Sequence, residues 1–109
     1  MALDISSLVS QMLGAALPIL KSAGTDVESF AKTEFTKIAQ TIASIGEQFA
    51  SGIINQEQAE LLLDMQKHAS RAVLLTIEGL GILAVENAIN AALDAVKGTV
   101  NAALPFALL

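Results

Sequence analysis

Cysteine, tryptophan and tyrosine are absent from this 109-residue chain, and proline occurs only twice. Without cysteine there is no disulfide, no thiolate metal site and no cysteine nucleophile. Lysine and arginine number six against eleven acidic residues, giving a net charge of −5. Nucleic-acid binding needs clustered positive charge to neutralise phosphate, so no nucleic-acid partner is expected. The same shortage disfavours electrostatic capture on anionic lipid. Charge of either sign is sparse, at 16% against about 25% in ordinary soluble domains. The opening Met1-Ala-Leu-Asp-Ile-Ser-Ser lacks a positively charged n-region. A secretory signal is therefore not expected, and a cytoplasmic location is the default.

What the chain has is aliphatic surface. It is 53% hydrophobic with a mean hydropathy of +0.59, which excludes disorder. Residues 1–109 are expected to form a single all-α domain with helices at about 4–21, 26–51 and 56–103. In the first, Ile5, Leu8, Val9, Met12, Leu13, Ala16, Ile19 and Leu20 recur at helical spacing after Asp4 or Ser6 as cap. Pro18 lies inside that run and predicts a kink or an early end, because it lacks a donor and crowds the preceding turn. Gly24 is the expected stop.

Thr25-Asp-Val-Glu28 reads as a capping box that starts the second helix. Ala31, Phe35, Ile38, Ile42, Ile45 and Phe49 then follow at spacings of four and three, an a/d seam. The helix is expected to end at Ser51-Gly52. Asn55-Gln-Glu-Gln58 reads as a weaker capping box opening the third helix. The short connection between them demands an antiparallel hairpin, with the isoleucine seam against Leu62, Met65, Ala69 and Val73.

From Gln56 to Ala103 the helical pattern is long, but its wet face moves. Glu57, Glu60, Asp64, Lys67, Arg71 and Glu78 line one side; Glu86, Asn90, Asp94, Lys97 and Asn101 line another. The two sets differ by roughly 110° at about 100° per residue. The jump falls at Gly79-Leu80-Gly81. Two architectures account for it. In the preferred one, an antiparallel helical hairpin has a continuous long third helix, and the N-terminal helix packs along its overshoot. In the alternative, the chain breaks at Gly79–Gly81 and makes a four-helix bundle. No Pro, Asn, Asp or Ser stands ready to cap a new helix there, which favours continuity. Pro105 ends the helix. Eleven of the seventeen charged residues lie between Asp26 and Arg71, so the hairpin has a polar tip and an apolar base.

Candidate chemistry is thin. Asp64 and His68 share a helix face with Glu60 one turn back, a spacing that can hold a divalent metal. The second helix adds only Glu34 and Glu47, so a solvated face is the better reading and no metal or cofactor is expected. Glu78, inside an apolar run, continues the polar stripe more simply than it forms a site. Gly79-x-Gly81 follows no strand and has no further Gly or Lys to complete a phosphate loop. Ser6, Ser7 and Ser10 have no triad partners. Residues 72–93 are long enough to span a bilayer. They carry Glu78 and Glu86, however, each costing roughly 2.5–3.5 kcal/mol on an insertion scale.

The resulting expectation is a non-enzymatic, self-associating helical protein, a structural or assembly subunit that forms a dimer or larger homo-oligomer. Residues 72–85 are apolar almost all round, and a second protomer is the simplest cover for what the hairpin leaves bare. The expected contact uses Leu13, Leu17, Leu74, Ile82, Leu83, Val85 and Ile89, with the tip from Gly52 to Glu60 outside it. A membrane-active hairpin of holin-like or pore-forming type ranks second, and a helical binding module third.

Overall fold

The computed structural model describes residues 3–20, 27–77 and 79–109. These form four helices: α1 (Ile5–Leu20), α2 (Val27–Ala50), α3 (Gln56–Leu74) and α4 (Ile82–Ala103). Each packs against its neighbours in chain order, and α1 closes on α4, in the manner of an up-down-up-down bundle. The α1–α4 face is extensive and the α3–α4 face is thin. The bundle measures 42 × 22 × 17 Å.

Local sequence explains most helix ends. Asp4 accepts from the Ser7 amide at 3.4 Å at the start of α1. That helix continues through Pro18 to Leu20 rather than ending early. The expected capping box at Thr25 and the stop at Gly24 lie outside the described residues. The α2–α3 connection is closed tightly. Ile53 N–H donates to Gln48 and Gly52 N–H to Phe49, with Gly52 at a φ of 75°, the paired bonds of a Schellman cap. Asn55 then caps α3 as expected. Its side chain accepts from the Gln58 amide at 2.8 Å, and the Gln58 side chain accepts from the Asn55 amide at 2.9 Å.

The continuous third helix is not what the chain forms; the four-helix alternative is. Helix α3 stops at Leu74. Thr76 N–H and Ile77 N–H turn back to Val73 and Leu74, while the Thr76 hydroxyl donates to the Val73 carbonyl at 2.6 Å. Gly79 has a φ of 93°, a conformation that side-chain-bearing residues avoid. Helix α4 then starts from Gly81 in extended conformation, with no side-chain cap. The missing cap argued for continuity. Burial outweighs it: Val85, Ala88, Ile89, Ala92, Leu93, Val96 and Val100 all enter the core once α4 folds back. At about 25 cal/mol per Å² of apolar surface, such a face far exceeds the ~1 kcal/mol of one cap.

The α2 seam is core as expected, with Ala31, Phe35, Ile38, Ile42 and Ile45 buried. Its partner face on α3 is not the expected one. Leu62, Met65 and Ala69 are exposed and Val73 is intermediate, whereas Ala59, Leu63, Ser70 and Leu74 are buried. The buried face takes in Leu63 and Leu74, and its polar members find partners. Thr41 Oγ1 donates to Gln66 Oε1 at 3.3 Å, and Gln66 Nε2 donates to Ser70 Oγ at 3.1 Å. No buried side-chain polar atom among the described residues lacks a partner.

The tail after α4 is part of the fold. Leu104 and Leu108 are buried, and Leu104 comes so close to Gly46 that a Cβ there would lie 3.1 Å from it. Phe106 packs on Phe49 with ring centroids 4.7 Å apart. Asn101 exchanges two hydrogen bonds with the Leu109 backbone, at 3.0 and 3.3 Å.

Candidate association surface

Five of the seven residues expected at a protein–protein contact are buried or half-buried inside the chain. Leu74, Val85 and Ile89 are core residues, and Leu13 and Leu17 are half-buried against the core. Their cover comes from the break: α4 turns back and lies along α1. The accessible surface, 5896 Å², is close to the roughly 5,700 Å² of a monomer of this mass. Within residues 72–85, Leu74, Leu80 and Val85 are thus covered by the chain itself. Ile82 and Leu83 alone among the seven stay open, at 62% and 71% exposure.

A different surface is left bare. Leu61, Leu62 and Met65 are 60%, 36% and 59% exposed, neighbours on the outward side of α3. The contrast within this one helix is unusual. Its inward face holds Ser70, joined through half-buried Gln66 to Thr41, while three large apolar side chains face out. On the side toward α2, Leu62, Met65 and Ala69 border a groove of about 580 Å³ whose far wall is Lys37, Gln40, Thr41, Ser44, Ile45 and Gln48. On the side toward α4, α3 carries Glu57, Asp64 and Arg71.

The charged groups nearby are solvated or paired. Lys67 Nζ lies 3.9 Å from Asp64, and Arg71 Nη1 lies 3.1 Å from Glu86 across the α3–α4 seam. His68 and Glu60 are exposed on α3. Among the described residues, no group of three His, Cys, Asp or Glu side chains is gathered in a way that could hold a metal ion. Glu34 is buried, its carboxylate 3.0 Å from Lys37 Nζ, one helical turn along α2; it does not meet the α3 acids. Gly79 and Gly81 form the turn between α3 and α4, and Glu78 lies outside the described residues. No helix among the described residues is long and apolar enough to cross a membrane. The 72–93 stretch is interrupted by the same turn.

The outward apolar patch was present in the sequence as Leu61, Leu62 and Met65, but helical spacing offered two inward faces for α3. The signal for the chosen one was Ser70, four residues after Gln66 and in phase with Leu63 and Leu74. No known protein family, curated protein or solved structure matches this chain.

Proposed function

We propose that this chain acts by association rather than catalysis, as a self-associating helical subunit of structural or assembly type. One observation carries the reading: α3 buries Ser70, at the end of a part-buried polar chain from Thr41 through Gln66, and turns Leu61, Leu62 and Met65 outward. A helix free of other demands places its large apolar side chains inside. Clustered exposed apolar residues rimmed by polar ones mark contact surfaces in soluble proteins. The surface proposed for contact is therefore the outer face of α3, with Ile82 and Leu83 at the start of α4 as a second, smaller patch.

Size-exclusion chromatography with light scattering tests this. The unmodified protein is expected to run as a dimer or larger without detergent. Met65→Lys is expected to shift it toward monomer, while Thr99→Lys, on the exposed side of α4, leaves it unchanged. Ile82→Lys asks the same of the smaller patch. A monomer at every concentration would overturn the reading. The groove beside Leu62 and Met65 would then favour a binding module that takes a partner helix.

A further inference from the structure

Resting on that reading, we infer that the partner on α3 is a second copy of the same helix, running antiparallel, with Leu61 of one chain opposite Ala72 of the other. The exposed face of α3 has the spacing of a helix-pairing seam. Gln58, Leu61, Met65, His68 and Ala72 follow at intervals of three, four, three and four. Leu61, Met65, His68 and Ala72 are exposed, and Leu63 and Ser70, on the opposite side of the helix, are buried in the home bundle. The seam therefore points directly away from the chain's own core.

The seam is not uniform along its length, and the gradient selects the direction of pairing. Large side chains, Leu61, Leu62 and Met65, occupy the first half; Ala69 and Ala72 occupy the second. Antiparallel pairing in this register sets Leu61 against Ala72 and Leu62 near Ala69, so large meets small in these two layers, with Met65 against His68 between them. Parallel pairing would stack Leu61 on Leu61 and leave Ala72 facing Ala72, crowding one end and leaving a void at the other.

Charge selects the same direction. The acidic residues Glu57, Glu60 and Asp64 lie in the first half of α3, and Lys67 and Arg71 in the second. Antiparallel pairing brings Asp64 on the seam's flank near Arg71 of the other copy, twice per dimer by symmetry. Parallel pairing would set the Asp64–Arg71 flank against the Leu62–Ala69 flank of the other copy and form no such ion pair. A two-fold contact of this kind is self-complementary and closes at two chains, and an antiparallel pair also opposes the two helix dipoles favourably.

The absence of cysteine makes the register directly measurable. Leu61→Cys and Ala72→Cys variants, one bearing a mass tag, are mixed and oxidised, and light scattering is run on each. Both positions are exposed, so both variants are expected to fold. The mixture is expected to give mainly the tagged–untagged disulfide, several-fold above either homodimer. Homodisulfides of Leu61→Cys alone would show parallel pairing and overturn the register. A dimer by light scattering with no cross-link at either pair would place the interface elsewhere and overturn the inference while sparing the association reading. A monomer throughout would overturn both.

Discussion

Arg71 of α3 holds Glu86 of α4 at 3.1 Å, the ion pair that spans the thinnest face of the bundle. The α3–α4 seam has little apolar contact, and beyond the break the chain returns alongside itself mainly through α1. The pair locates the seam more than it stabilises it. Both side chains are some two-fifths exposed, where water and salt screen the attraction. A double-mutant cycle with Arg71→Ala and Glu86→Ala is expected to give a coupling below about 1 kcal/mol, shrinking further in high salt. A larger coupling would mean that the seam depends on this contact.

Gly79 distinguishes the bundle from a continuous helix by sign. In an unbroken helix, Gly79→Ala would stabilise by about 1 kcal/mol through propensity. At the observed φ of 93° the added Cβ is strained, so the substitution is expected to destabilise by about 1 kcal/mol or more. A denaturant melt reads the direction.

The two faces of α3 and α2 should respond unequally to truncation. Ile42 is fully buried, and Ile42→Ala is expected to cost about 2–5 kcal/mol. Met65→Ala, measured at a dilution where chains are separate, should cost less than about 0.5 kcal/mol. Equal losses would show that α3 presents its Met65 face inward after all.

The Asn55–Gln58 box should behave as a cap that matters. Asn55→Ala is expected to lose about 1 kcal/mol, since the Gln58 amide then has no side-chain acceptor. Asn55→Asp should retain most of the stability. A neutral alanine variant in urea unfolding would refute the role.

Lys37 is the partner the structure gives to the buried carboxylate of Glu34. Lys37→Met keeps the aliphatic stem and removes the ammonium. It is expected to destabilise by about 1–3 kcal/mol, and Glu34→Gln in the same background should recover part of the loss. A silent Lys37→Met would mean that water serves the carboxylate.

The elements that the sequence determined unaided are those governed by neighbours along the chain. The all-α class, the a/d seam from Ala31 to Ile45, the Asn55 cap, the Gly52 stop and the end of α4 before Pro105 all rest on periodicity and local hydrogen bonding, which operate within a turn or two. The shift in polar stripe at Gly79–Gly81 was also legible, but its meaning was not. A break and a change of neighbours produce the same pattern, and the missing cap pointed the wrong way by an amount smaller than the burial gained. Tertiary structure decided three things. It folded α4 back on α1 and so covered Leu74, Val85 and Ile89 from within. It chose the face of α3 that buries Ala59, Leu63 and Leu74 and lets Thr41, Gln66 and Ser70 satisfy one another across two helices, a pairing that no single helix's periodicity encodes. And by that rotation it left Leu61, Leu62 and Met65 exposed in addition to Ile82 and Leu83, because a helix with two apolar stripes and one bundle can bury only one of them.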